Sequence, residues 1–172
     1  RREAYKVETI GDAYMLVSGV PEENGIRHLN SICSIALDIH TFLDTYRAPH
    51  SSSLRVACRL GVCSGPVAGA VVGMNAPRYC LFGDTVNMAS RMESTGEGGK
   101  TQLAESTKKM LEQHYPDFVT VERGKVEIKG KGECTTYWLE GTKDCTFVAT
   151  AAKEAFKTGR ASNNFTSLVG KT

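Results

Sequence analysis

No stretch of this sequence approaches the roughly 18 consecutive apolar residues that a membrane-spanning helix needs. The first residues, RREAYKVE, contain no apolar signal-peptide core. A strong charge of either sign is also absent, because 172 residues carry a formal net charge of only +2. Such a small excess does not indicate nucleic acid or an anionic membrane as a partner. We therefore expect no nucleic-acid partner and no membrane contact by this segment itself.

Closely spaced cysteine pairs are missing as well. None of the six cysteines forms a C-x-x-C pair, which argues against a zinc site. Hydrophobic residues make up 41% and charged residues 23%, which is ordinary for a soluble globular protein. The chain is long enough to bury a core without disulfides. We therefore expect one domain with a real core and reduced thiols in the cytosol.

The first half of the chain reads as a hairpin, a helix and further strands. Residues 5–19 predict two strands around Gly11-Asp12, a recognised two-residue hairpin signal. Residues 26–46 place apolar side chains at helical spacing. Alternating residues at 54–65 predict a strand, and the glycine-rich run 65–73 predicts a bent strand.

The second half predicts two short helices and a hairpin. Residues 84–94 form a helix with Asp84 as N-cap, and residues 107–115 form a helix capped by Ser106 or Thr107. Residues 119–141 predict two or three strands in hairpins. Beyond residue 142 the chain turns polar, with a weak amphipathic helix at 146–159 and a disordered end. We expect an α+β domain at 1–141 and an irregular or disordered tail at 142–172.

Several polar residues could carry chemistry, although each also has an ordinary explanation. Asp12 at the hairpin tip could bind Mg²⁺, or it could be a common turn aspartate. Asn87 and Arg91 lie four apart on one helix face and would suit a ribose or polyphosphate, or simply face solvent. Cys80 could be a weak donor or a core thiol. Lys129, beside glycine, could approach a phosphate or be solvated.

One apparent phosphate-binding motif is rejected. Residues 94–101, STGEGGKT, end like a P-loop, which requires G-x-x-x-x-G-K-[ST]. The first glycine of that motif falls on Ser94, and the segment follows a predicted helix where a strand is required.

Three segments in order carry a resemblance that single residues do not. They are KVETIGDAYM (6–15), GVCSGPVAGAVVGMNAPRYCLFGDTVNMASRMEST (61–95) and IKGKGECTTYWLEG (128–141). Together they closely resemble the catalytic domain of guanylate cyclases, which are class III nucleotidyl cyclases, and the membrane-receptor type more than the soluble type. The resemblance implies an α+β, ferredoxin-like fold. It also implies conversion of GTP to 3′,5′-cyclic GMP and pyrophosphate, by attack of the ribose 3′-hydroxyl on the α-phosphate.

The resemblance also implies roles for six residues. Asp12 would bind metal, with two Mg²⁺ or Mn²⁺ ions in the complete domain. Asn87 would position the ribose, and Arg91 would stabilise phosphate charge. The residues implied to bind substrate are Glu8, Cys80 and Lys129.

Glu8 and Cys80 would read the base. A carboxylate accepts from the N1–H and 2-amino group of guanine, and a thiol donates weakly to O6. Adenylate cyclases resemble this pattern with Lys and Asp at these two places, so an adenylate cyclase is disfavoured. Mismatched bases leave buried polar groups unpaired, which can make discrimination large.

The resemblance further implies a dimer, because the site forms between two catalytic domains, as a homodimer or a heterodimer with a related chain. It implies a cytoplasmic domain of a plasma-membrane receptor. The family carries a second metal-binding aspartate on an earlier strand, in a motif like F-S-D-I-V-G-F-T, which does not occur here. We therefore expect a fold missing its first strand and helix, with an exposed sheet edge and little activity alone. The alternative function is an inactive cyclase-like module that dimerises with and regulates a full-length cyclase.

Overall fold

A computed structural model describes residues 3–47, 55–146 and 161–170, with only the backbone described at 145–146 and 161–170. Three helices and ten strands occupy these residues. In chain order the elements are β1 (Tyr5–Ile10), β2 (Ala13–Ser18), α1 (Arg27–Thr45), β3 (Arg55–Ser64), β4 (Ala68–Val72), β5 (Arg78–Phe82), α2 (Asp84–Ser94), β6 (Thr101–Ala104), α3 (Glu105–His114), β7 (Phe118–Ile128), β8 (Gly132–Thr142), β9 (Cys145–Thr146) and β10 (Ala161–Gly170). In the described part of the chain, no helix is both long and apolar enough to cross a bilayer.

An eight-stranded sheet forms the centre of the fold. Its strand order is β1-β2-β10-β3-β6-β8-β7, with β9 paired to β8. The pairs from β2 through β10 and β3 to β6 are parallel, and the flanking pairs are antiparallel. Strands β4 and β5 form a separate antiparallel hairpin. The chain combines three helices with one mixed sheet, and strands and helices do not alternate regularly along the sequence. This confirms the predicted α+β class.

The two faces of the sheet bury separate apolar clusters. On one face, α1 and α3 pack on side chains that alternate along β3, namely Cys58, Leu60 and Val62. On the other face, α2 and β5 pack on β2 and on the end of β7. The predicted alternation of β3 and the predicted apolar stripe of α1 are thereby confirmed.

A glycine allows α2 to approach the sheet closely. A Cβ placed on Gly61 of β3 would lie 2.1 Å from the Glu93 backbone nitrogen and 2.4 Å from the Ala89 carbonyl oxygen. Backbone atoms cannot yield as a flexible side chain can, so any larger residue would push the helix away. The contact fixes the position of α2, which carries two of the predicted site residues.

The N-caps of α2 and α3 both differ from the predicted ones. Gly83 is the N-cap of α2, with φ of 131°, and Asp84 is the first helical residue. Ala104 is the N-cap of α3, which starts two residues before the predicted helix, without a side-chain cap. Extended backbone at Ala104, with φ of −69° and ψ of 151°, lets β6 run directly into α3, so no capping side chain is used. Sequence analysis also missed β5, which is too short for a clear periodic pattern.

The end of the chain differs most from expectation. Residues 161–170, predicted to be disordered, form β10 between β2 and β3. The exposed sheet edge predicted for this fold is therefore wrong for β2, which pairs with β1 on one side and β10 on the other. The reason is that the backbone N–H and C=O groups of β2 and β3 face a strand-wide gap and need partners. The helix predicted at 146–159 lies almost wholly outside the described residues, and the division at residue 141 stays a prediction.

Candidate active site

The β1–β2 hairpin carries Glu8 and Asp12. Gly11 has φ of 62°, the left-handed conformation that a tight turn requires, and Asp12 follows it, exposed at the tip. The pairing of β1 with β2 shifts between Lys6 and Glu8, which is a β-bulge. Bulges are common beside functional sites because they redirect a side chain. Here the bulge lies next to the half-buried Glu8.

Strand β5 carries Cys80. Strands β1 and β5 are in contact, and the rings of Tyr5 and Tyr79 meet edge to face with centroids 6.5 Å apart. The Cys80 thiol is half-buried and donates to the carbonyl oxygen of Arg78 at 3.7 Å. The Cys80 thiol therefore acts as a hydrogen-bond donor.

Helix α2 presents Asn87 and Arg91 away from the core. Ala89 and Met92 are fully buried, whereas Asn87 is exposed and Arg91 is half-buried, as the predicted inward packing of this helix requires. The Arg91 guanidinium lies against the β7–β8 turn, because a Cβ on Gly130 would be 3.9 Å from its Nη2 atom. The exposed Lys129 precedes that glycine. Arg91 and the turn that carries Lys129 are therefore neighbours.

A single apolar cluster supports every element that carries a predicted site residue. It contains Met15 and Val17 of the hairpin, Leu81 of β5, Met92 of α2 and Ile128 before the β7–β8 turn. Side chains from four separate elements, β2, β5, α2 and β7, thus share one support. Packing at interior density holds their relative positions. The structure brings the six predicted residues onto one connected scaffold, although they are up to 121 positions apart in the sequence.

Metal binding within this chain would rest on Asp12. Among the described residues, no group of three or more histidine, cysteine or acidic side chains is placed to hold a metal ion. The space beside Asp12 is open, since a Cβ on Gly11 would meet no atom within 4 Å. The Asp12 carboxylate could therefore be one oxygen ligand of a divalent cation. Substrate phosphates and water would supply the other ligands.

Sequence analysis did not single out Glu93, a buried carboxylate on α2. Its Oε1 atom accepts a hydrogen bond from Nε of Arg59 on β3 at 3.1 Å and lies 3.1 Å from Nη2 of the same ion-paired guanidinium. Burial raises the pKa of Glu93, the Arg59 charge lowers it, and the negative charge of Asp12 raises it. The sequence could have indicated its burial, because Glu93 lies four positions after Ala89 and so shares the inward face of the predicted helix.

Known proteins share this fold. The guanylate cyclase domain of RhGC from Catenaria anguillulae, crystallised with GTP, is 37% identical with a TM-score of 0.66, over 81% of this chain and 73% of that one. The guanylyl cyclase domain of the RhoGC fusion protein from Blastocladiella emersonii, described as a non-canonical dimer, is 33% identical with a TM-score of 0.62, over 81% of this chain and 72% of that one. The fold is that of the class III nucleotidyl cyclases.

Sequence relatives identify the family. Receptor-type guanylate cyclase gcy-8 of Caenorhabditis elegans is 59% identical over 172 residues, which is 100% of this chain and 15% of that protein. The profile described as "Adenylate and Guanylate cyclase catalytic domain" matches residues 1–141. This chain therefore belongs to the adenylate and guanylate cyclase catalytic domain family, and it spans about 15% of the length of gcy-8.

Proposed function

We propose that this chain is the catalytic part of a guanylate cyclase, which converts GTP to 3′,5′-cyclic GMP and pyrophosphate. The observation that carries the proposal is the contact between β1 and β5. It places the strand that carries Glu8 beside the strand that carries Cys80. Glu8 accepts from the N1–H and 2-amino group of guanine, and Cys80 turns from the Arg78 carbonyl to donate to O6. Adenine offers an acceptor and a donor in the opposite places, so it leaves both groups unpaired.

The phosphate end of GTP meets α2 and the β7–β8 turn. Asn87 orients the ribose so that its 3′-oxygen attacks the α-phosphorus in line, while the bond to pyrophosphate breaks. Arg91 donates to the α-phosphate oxygens as their charge grows, and Lys129 contacts the β- and γ-phosphates. The proximity of the Arg91 guanidinium to Gly130 supports this division, since one phosphate chain can then reach both cations.

Divalent metal completes the proposed site. Asp12 would hold Mg²⁺ or Mn²⁺ together with substrate phosphate oxygens, and two ions are expected when the domain has its second aspartate. Such ions lower the pKa of an attacking hydroxyl and neutralise a leaving pyrophosphate. The carboxylate of Asp12 is exposed and open on one side, which leaves room for phosphate ligands.

Dimerisation is part of the proposal. The β4–β5 hairpin exposes Val71 at 68%, Met74 at 98% and Phe82 at 50% of their surfaces, which forms an apolar arm outside the core. A second copy of this chain, or a related cyclase domain, would cover the arm. Asp12 of one chain would then face the base-binding and phosphate-binding residues of the other chain. The relatives called receptor-type support a cytoplasmic location in a plasma-membrane receptor protein.

The alternative function is a regulatory module without activity. It is favoured by the absence, within the described residues, of an acidic cluster around Asp12. Such a module would dimerise with a full-length cyclase and alter its turnover.

One experiment separates the two functions. Cyclic GMP formation from GTP and Mn²⁺ is measured for this chain alone and for a version extended upstream through a second aspartate. We expect turnover in the extended version and little in the short one. Absence of turnover in both, with intact folding, would favour the regulatory module.

The base assignment has its own test. In the extended version, Glu8→Lys with Cys80→Asp should shift preference from GTP toward ATP. The matched control is Glu127→Lys with Cys134→Asp, a change of the same types on β7 and β8, which should leave preference for GTP intact. Unchanged GTP preference in the first variant would overturn the role given to Glu8 and Cys80.

A further inference from the structure

An ion pair joins the β7–β8 turn to the start of α2. Nζ of Lys131 donates to Oδ2 of Asp84 at 2.8 Å. Lys131 belongs to the same turn as Lys129, and Asp84 is the first residue of the helix that carries Asn87 and Arg91. The pair therefore links the two elements that contact phosphate and ribose in the proposed function.

The turn has few other features that would fix its position. Gly130 and Gly132 have φ of 75° and 72°, so two residues around Lys131 use the left-handed region open to glycine. One backbone hydrogen bond, from the Lys131 N–H to the Ile128 carbonyl at 2.9 Å, closes the turn. Below it, Ile128 is fully buried and anchors the strand end. Beyond that anchor, the turn meets α2 through the ion pair of Lys131 with Asp84 and through the Arg91 guanidinium beside Gly130.

The pair is too exposed to matter much for stability. The side chains of Lys131 and Asp84 are 40% and 64% exposed. Exposed pairs contribute little because water screens them and ordering two side chains costs entropy. A link of this kind can still restrict where a turn lies, and catalysis is far more sensitive to sub-ångström placement than folding is.

We propose that Lys131 and Asp84 are positioning residues, which hold the β7–β8 turn against α2 and so set Lys129 and Arg91 at the spacing a triphosphate needs. The inference rests on the proposed function for its kinetic consequence, but its structural part stands alone. Neither residue touches substrate in this account. Both act through the placement of Lys129 and Arg91.

A second pair on the same hairpin provides a matched control. Nζ of Lys125 lies 3.1 Å from Oε2 of Glu133, with side chains 70% and 63% exposed. This pair joins β7 to β8 within the hairpin and does not reach α2. Glu133→Gln and Asp84→Asn each remove one carboxylate that accepts from a hairpin lysine. Asp84 also lies in the first turn of α2, where a negative charge is favourable, so Lys131→Gln is included because it breaks the same pair and keeps that charge.

The first measurement is kinetic and uses the extended, active version. Asp84→Asn and Lys131→Gln should each lower kcat for GTP by about tenfold with a small change in KM. Lys131→Arg keeps the charge and should retain most activity. Glu133→Gln should match the unaltered protein, and all variants should melt within about 2 °C of it. Equal kcat in Asp84→Asn and Glu133→Gln would overturn the inference.

The second measurement does not depend on turnover. Hydrogen exchange of the Lys131 amide should quicken at least threefold in Asp84→Asn and stay unchanged in Glu133→Gln. If the extended version without these substitutions makes no cyclic GMP, the proposed function fails and this measurement alone decides the inference. An unchanged exchange rate in Asp84→Asn would show that the pair does not hold the turn, whatever the activity.

Discussion

A buried histidine on α1 should make this fold sensitive to acid. His40 is 4% exposed and its Nε2 atom lies 3.0 Å from Oγ1 of Thr101 on β6. Burial lowers the pKa of His40 from 6.5 to about 4, because the imidazolium would lose its hydration inside the protein. The unfolded chain therefore binds a proton at His40 at a higher pH than the folded chain does.

The sign and size follow from that difference. Above pH 6.5 both states hold a neutral imidazole, and the stability from this site is fully present. As the pH falls toward 4, the unfolded state gains protons that the folded state does not, so the free energy of unfolding falls. The loss is about 2 kcal/mol between pH 7 and pH 5 and approaches about 3 kcal/mol near pH 4. For a small domain this is a large share of the total free energy of unfolding.

Urea unfolding at pH 7, 6 and 5 measures the effect. The matched variants are His40→Gln, which removes the buried imidazole, and His114→Gln, which removes an exposed histidine of α3. His40→Gln should be less stable at pH 7. Between pH 7 and pH 5, however, its free energy of unfolding should fall by about 2 kcal/mol less than that of the unaltered protein. His114→Gln should keep the original pH dependence. If His40→Gln and the unaltered protein show the same pH dependence, the buried neutral imidazole is not the cause.

Three further predictions concern packing, pairing and assembly. Gly61→Ala should destabilise the fold by about 2 kcal/mol in urea unfolding, because the new Cβ would meet backbone atoms of Glu93; a change below 0.5 kcal/mol would mean that α2 can shift freely. Thr166→Pro should lower stability by about 3 kcal/mol, because β10 pairs on both sides and proline cannot donate to the sheet; an unchanged melting temperature would exclude β10 from the folded sheet. Val71→Asp should reduce the dimer fraction in sedimentation while leaving the melting temperature of the monomer near its original value; an unchanged dimer fraction would remove the β4–β5 hairpin from the interface.

The local features of this fold could be predicted from sequence because they depend on near neighbours. Gly11-Asp12 forms the predicted turn, and the apolar stripe beginning at Leu29 forms the predicted helix. Asn87 and Arg91 lie on α2, where their spacing placed them. Their roles came from the ordered motifs, since spacing alone favoured a solvated surface in each case.

The features that were missed depend on partners far away in the sequence. Asp84 was predicted to cap α2, but its carboxylate pairs with Lys131, a residue that periodicity cannot connect to it. Glu93 was overlooked because its burial depends on Arg59 of another strand. The β10 strand was predicted to be disordered because its composition is polar, yet unpaired backbone groups on β2 and β3 select a strand there.

The position of β10 has a consequence for how the protein is made. Ala161 pairs with Arg55, and Thr166 pairs with both Leu60 and Tyr14, so the centre of the sheet joins residues synthesised at very different times. Until residues 161–170 leave the ribosome, the β1–β2 hairpin and the sheet built on β3 have no strand between them. Long-range pairing of this kind slows folding and leaves strand edges open meanwhile. The nascent chain should therefore depend on chaperones late in translation, after all six predicted site residues have already been synthesised.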